Sequence, residues 1–181
     1  MKISDTAYAV TGLGFIPPWS VNAGIIAGQS KTLVVDTGPS RFGAQTILGY
    51  ARSVRPDNAI VAVNTEKHTD HLLGNGLFRD QGIDVMGHAS ILRTPGDLDA
   101  EIDEMNRCIP QAFRRNLHEG SVFFSGTRVE NPNVRLTEET AFGLGGMEAR
   151  IFKTPGHTSA NCCVFIPKEG VLFTGDCVVL R

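Results

Sequence analysis

The stretch Asn64-Thr65-Glu66-Lys67-His68-Thr69-Asp70-His71 follows a short apolar run, Ala59-Ile60-Val61-Ala62-Val63, that reads as a strand. Four side chains able to hold a metal ion, Glu66, His68, Asp70 and His71, fall within six positions. Carboxylate and imidazole both ligate zinc, and carboxylates also suit harder ions. Glu66 and His68 stand two apart, so an extended segment sends both from one face. Asp70 and His71 are adjacent and diverge unless the chain turns between them. One pair aimed at one ion and the other pair at a neighbouring ion accounts for this layout. A polar strand-to-helix loop whose histidines touch only solvent is the plainer alternative.

The rest of the 181 residues sets the frame. The length suits one domain, residues 1–181, or part of a slightly larger one. With 41% hydrophobic and 20% charged residues the composition is that of a globular protein that can bury a sizeable core. A net charge of -2 without a basic cluster gives no reason to expect a nucleic-acid partner. The start, Met1-Lys2-Ile3-Ser4-Asp5, turns polar at once and does not open a signal peptide, and Val21 to Gly28 is too short to cross a bilayer. Cys108, Cys162, Cys163 and Cys177 show no CxxC spacing, which points to a reducing, cytoplasmic compartment.

Taken in order, residues 7–14, 21–28 and 31–36 read as strands, with Pro17-Pro18 between the first two and a turn at 28–30. Ser40 is placed to cap a helix running to about Arg55. Asp36, at the end of a buried-looking strand, is either a turn-forming residue or a carboxylate that orients a ligating histidine. A short helix over 75–81 and a strand over 83–86 lead to His88, read as a surface hydrogen-bonding residue. Leu98 to Glu119 reads as a long helix bent by Pro110, with His118 near its end. Its acidic start lacks the glycine and terminal glutamate of a calcium loop and reads as solvated acid. Residues 126–140 read as irregular, with a turn at Asn131-Pro132-Asn133 and a return to strand at Leu136-Thr137, and Phe142 to Gly146 as a glycine-rich turn without a phosphate-binding pattern.

The second half of the chain adds two more strand ends. Thr154-Pro155-Gly156-His157-Thr158 presents a histidine after the strand 147–153, and Val171 to Asp176 ends an apolar strand in Gly175-Asp176. Loops at one edge of a sheet sandwich can bring these ends to residues 63–71. Cys177 reads as a small buried hydrophobe, because no basic neighbour is at hand to activate it. No GxSxG nucleophile elbow competes with a metal site.

Taken together, these segments resemble the metallo-beta-lactamase superfamily. Glu66-Lys67-His68-Thr69-Asp70-His71 aligns with its HxHxDH signature, and residues 155–158 and 175–176 match in order and separation. Asn22-Ala23-Gly24 and Val34 to Gly38 look like the family's N-terminal strands. The resemblance covers essentially the whole chain and implies an α/β (α+β), four-layer αββα sandwich, incomplete at the C-terminus. It implies that His68 and His157 hold a first metal with Glu66 in a position usually filled by histidine. Asp70 and His71 would hold a second, and Asp176 would bridge. The implied cofactor is zinc, one or two ions, with iron or manganese also compatible. The implied reaction is attack of a metal-activated water on an ester, thioester, amide or phosphoester small molecule, with Asp70 as the catalytic residue that orients the nucleophile.

Two departures from the family pattern stand out. Glu66 brings negative charge and favours harder ions while lowering the Lewis acidity felt by bound water. The chain also stops at Arg181, before the region in which the family supplies a last histidine. A fragment, or a truncated form whose edge a second copy covers in a homo-oligomer, is the expectation. The competing functions are a noncatalytic member acting in interaction or structure, and an iron-dependent redox member.

Overall fold

The computed structural model describes residues 1–14, 21–108 and 119–178. Its first sheet holds β1 (Ala7–Val10), β2 (Ala23–Ala27), β3 (Lys31–Val35), β4 (Ala59–Val63), β5 (Val85–His88) and β6 (Val134–Leu136), side by side in that order. The first three strands are antiparallel, and β3 to β6 are parallel. Parallel neighbours need crossovers, and helices supply them. These are α1 (Arg41–Val54), α2 (Thr69–Leu72), α3 (Asn75–Asp80), α4 (Pro95–Cys108) and α5 (Glu119–Phe123). The second sheet is an antiparallel meander of β7 (Thr140–Gly143), β8 (Glu148–Lys153), β9 (Cys162–Ile166) and β10 (Val171–Phe173).

Period-two alternation sorts the first sheet's side chains into two cores. Ile25, Val34, Ala62 and Val85 face the helices and pack against Ala44, Ile47 and Leu48 of α1 and Leu77 and Phe78 of α3. Their sequence neighbours Ile26, Leu33, Val35, Val63 and Met86 face the other way, onto Ala149, Ile151, Cys162, Val164 and Ile166 of the second sheet. The central strands are buried on both faces, which is why they read as unbroken apolar runs. The described residues therefore build the α, β and β layers of the sandwich. No described helix packs extensively on the outer face of the second sheet, where Leu172 is exposed.

Helix α1 starts as its sequence dictates: the Ser40 hydroxyl accepts a hydrogen bond from the Gly43 amide, 3.4 Å away. Helix α4 begins at Pro95, three residues earlier than the sequence suggests. Asp97 accepts hydrogen bonds from the Thr94 amide and hydroxyl and pairs with Arg93, which closes the first turn. The acidic start of α4 thus serves the helix. Pro110 and His118 lie outside the described residues, as do Pro17 and Pro18.

Three readings of the sequence need correction. The return to strand read at Leu136-Thr137 comes earlier, since Val134–Leu136 joins the first sheet as its edge strand. Its sparse burial hides the strand pattern. Phe142 and Gly143 belong to β7, and the turn is confined to 144–147, closed by the Leu144 amide on the Met147 carbonyl at 2.9 Å. Cys177 is exposed rather than buried, because the strand stops at Phe173 and Gly175–Cys177 forms a 3-10 turn that swings the thiol outward.

Candidate metal centre

The ends of β3, β4, β8 and β10 meet at one edge of the sandwich. Backbone hydrogen bonds clamp them there: the Asp36 amide to the Val63 carbonyl (2.8 Å), the Thr37 amide to the His71 carbonyl (3.0 Å) and the Cys162 amide to the Thr65 carbonyl (2.7 Å). Beyond β4 the chain bends over residues 65–68, His68 itself is extended, and the single turn of α2 then redirects Asp70 and His71. Residues 64–66 and His71 end up buried, while His68 stays half-exposed at the mouth.

Two glycines make this closeness feasible. Gly175 has φ +53, and a Cβ there would come within 2.6 Å of the Thr65 hydroxyl; it lets Asp176 approach the motif loop. At Gly74, just after α2, a Cβ would lie 2.0 Å from the Thr37 carbonyl. No side chain fits between these loops.

The candidate ligands converge. Glu66 is fully buried; its Oε2 lies 3.1 Å from His68 Nδ1, and its Oε1 lies 3.1 Å from His71 Nε2 and 3.7 Å from His157 Nε2. His157 Nε2 also lies 3.1 Å from His68 Nδ1 and 3.8 Å from Asp176 Oδ2. Asp176 Oδ1 is 3.5 Å from His71 Nε2. Two compact triads result, Glu66-His68-His157 and Glu66-His71-Asp176. Asp70 belongs to neither but stands beside the second, with Oδ2 3.7 Å from His71 Nε2. His88 is not drawn in; its Nδ1 pairs with the Ser90 hydroxyl at 2.7 Å.

A metal ion fits the donor set. Both Glu66 oxygens and His71 Nε2 are buried without any hydrogen bond, although each has a polar neighbour at 3.1 Å. A bare carboxylate removed from water costs several kcal/mol unless it is paired or ligates a cation, so unbonded donors facing one point suit a cation between them. Imidazole with carboxylate is a donor set for a first-row divalent ion such as zinc, manganese or iron.

Asp36 resolves the choice left open by its position in sequence. Its backbone has φ 63, in the left-handed region, and its carboxylate accepts from the Thr65 amide and hydroxyl, both at 2.7 Å. Its Oδ2 also lies 2.9 Å from His71 Nδ1. That contact ties up one ring nitrogen and turns Nε2 toward Glu66 and Asp176. Asp36 is thus both the turn residue and the orienting carboxylate. Burial drives His71 toward the neutral form, but Asp36, Asp176 and Asp70 outweigh it and hold its pKa well above the ordinary imidazole value. The His71 imidazole 3.5 Å away lowers Asp176 despite its partial burial, whereas burial raises Asp70 despite the nearby His71.

Sequence reasoning gave no role to the amides beneath this layer. Asn64 and Asn75 are fully buried and bond to each other. Asn64 Nδ2 donates to the His71 carbonyl (3.1 Å), Asn75 Nδ2 to the Glu130 carbonyl (2.9 Å), and the Thr37 hydroxyl to Asn75 Oδ1 (2.7 Å). Asn161 does the same under His157, donating to the Thr154 hydroxyl and the Thr174 carbonyl. Only a hint exists in the sequence: Asn64 and Asn161 each abut an apolar strand.

The centre lies at the floor of an open cleft of about 1060 Å³, whose walls include Val21, Val35, Leu172, Phe173 and Val178. A second cavity of about 560 Å³, beside α1, is lined by Tyr8, Leu13, Phe42 and Tyr50 among others and by no acid or imidazole. No described helix is long and apolar enough to cross a membrane.

Comparison with known proteins agrees with this architecture. A family profile described as the metallo-beta-lactamase superfamily matches residues 16–180. An uncharacterized protein of Aquifex aeolicus (strain VF5) is 23% identical over 164 residues, covering 89% of this chain and 67% of the relative. The acyl-coenzyme A thioesterase MBLAC2 of Gallus gallus is 26% identical over 166 residues, and the match covers 87% of this chain and 57% of that protein. Among solved structures, a metallo-beta-lactamase family protein from Thermus thermophilus superposes with a TM-score of 0.68 at 21% identity, over 97% of this chain and 60% of the other. With the profile running through every strand end that carries a candidate ligand, the chain belongs to the metallo-beta-lactamase superfamily.

Proposed function

We propose that the chain is a metal-dependent hydrolase acting on a small thioester or ester. The observation that carries this reading is the pair of acid–imidazole triads, joined at a buried and hydrogen-bond-free Glu66, on the floor of an open cleft. Glu66, His68 and His157 would hold one divalent ion, and His71 and Asp176, with Asp70 beside them, a second. When bound, such ions supply Lewis acidity that acidifies water and stabilises negative charge developing on the substrate. The protein does the rest. Asp36 fixes the His71 tautomer, and Asp70, partly exposed beside His71, is placed to accept a proton from the attacking water and orient it. The apolar wall of Val21, Leu172, Phe173 and Val178 offers an acyl group a surface away from water. The thioesterase named among the relatives favours the thioester over the phosphoester.

Protein purified without chelator should carry about one to two equivalents of zinc, manganese or iron by elemental analysis. Less than about a tenth of an equivalent would sink the hydrolase reading in favour of a noncatalytic role. With metal present, His157→Ala should abolish turnover of a generic acyl thioester, and unchanged turnover would reject the site. Iron with a visible absorption band would instead favour the redox alternative.

A further inference from the structure

We propose that Glu66 is a bridging ligand, one carboxylate oxygen serving each of two metal positions; this rests on the metal-dependent reading above. Glu66 is the one residue shared by both triads. Its two oxygens have different nearest partners, His68 Nδ1 for Oε2 and His71 Nε2 for Oε1, each at 3.1 Å, with His157 Nε2 farther from Oε1 at 3.7 Å. Neither oxygen accepts a hydrogen bond, and the side chain is sealed from solvent, so nothing else occupies either lone-pair set.

The chemistry of the side chain separates this arrangement from one built on histidine. An imidazole can turn one ring nitrogen inward and so serves one ion, whereas a carboxylate has two oxygens and can serve two. A glutamate at position 66 therefore joins the halves of the centre that a histidine would leave separate on this side. Asp176 faces it across the pair, Oδ1 toward His71 and Oδ2 toward His157, at 3.5 and 3.8 Å. With two carboxylates spanning the positions, the centre is richer in oxygen than in nitrogen at its middle, which suits harder divalent ions such as manganese(II). Occupancy of the two positions also becomes interdependent, because an ion in one fixes the carboxylate that the other needs.

The test uses manganese(II) as the probe, with stoichiometry read by calorimetric titration and coupling read by electron paramagnetic resonance. The native chain should bind about two ions per molecule and show an exchange-coupled pair. His68→Ala, which strips a ligand from one triad only, should retain one ion with an uncoupled spectrum. Glu66→Ala should weaken both ions by about tenfold or more, since each loses a direct ligand. Glu66→Gln, nearly identical in shape and so a control for folding, has one carbonyl oxygen and should hold at most one ion tightly. If Glu66→Ala keeps one ion at native affinity and loses only the other, as His68→Ala does, Glu66 is a terminal ligand and the bridge is overturned. Two coupled ions in Glu66→Gln would overturn it as well. No manganese, zinc or iron bound by the native chain would overturn the metal-dependent reading itself.

Discussion

Asp36 Oδ2 lies 2.9 Å from His71 Nδ1, and the same carboxylate is held by the amide and hydroxyl of Thr65. The end of β3 therefore sets the ring orientation of a histidine that lies 35 positions later. The cost is a non-glycine residue at φ 63, on the order of 1 kcal/mol of backbone strain. Such strain persists where the surrounding hydrogen bonds over-determine the conformation, as the Thr65 contacts do here.

Asp36→Asn should therefore fold but bind metal less tightly, by about 10- to 100-fold, because the amide cannot fix the His71 tautomer as the carboxylate does. Competition with a coloured chelator measures this directly. Asp36→Ala should add a loss of stability of about 1–3 kcal/mol, since the Thr65 amide and hydroxyl are left buried without an acceptor. Native metal affinity in Asp36→Asn would show that the contact is only structural.

Most of the fold is legible in the sequence because the strands alternate between two buried faces. Ala59–Val63 and Cys162–Ile166 carry apolar residues on both, and each adjoins a polar residue that water or a site must satisfy. The edge strand at Val134–Leu136 is legible only at its end, Leu136, because it buries little and has no alternation to detect. At the site, residue types and spacing nominate Glu66, His68, Asp70, His71, His157 and Asp176. The geometry then depends on what spacing does not encode, namely the extended backbone at His68 followed by one helical turn. That turn brings His71 back beside Glu66, so a carboxylate that spacing pairs with His68 also faces His71. The buried amides Asn64, Asn75 and Asn161 are illegible for a related reason, because their partners include backbone groups of distant loops.

The four thiols should separate sharply by reactivity. Cys108 and Cys177 are exposed, whereas Cys162 and Cys163 are buried. Burial, reinforced by the charge of Asp36, pushes the Cys162 thiol up to about 12, and burial also raises Cys163 against its hydrogen bond with Thr154. A maleimide at pH 7 should therefore label Cys108 and Cys177 within minutes, with Cys162 and Cys163 reacting only after denaturation. Mass spectrometry of peptides from native and unfolded protein reads the pattern. Native labelling of Cys162 would mean that β9 is not packed against the first sheet.

Glu169 ties the β9–β10 turn to the chain's start: its carboxylate accepts hydrogen bonds from the Ser4 hydroxyl and from the Thr6 amide and hydroxyl. Burial pushes its pKa up, but these donors together prevail and leave it below the ordinary value of 4.5. A carboxylate depressed by folding contributes stability that is fully present above its unfolded pKa and is lost as pH falls through the folded one. Glu169→Ala should thus cost on the order of 1 kcal/mol at pH 7, the lower end of what three hydrogen bonds imply because the group is half-exposed. The gap between native and variant unfolding free energies should close progressively below about pH 4.5. Urea unfolding at a series of pH values measures it, and a gap that stays constant down to about pH 2 would show that the clasp does not depend on the ionised carboxylate.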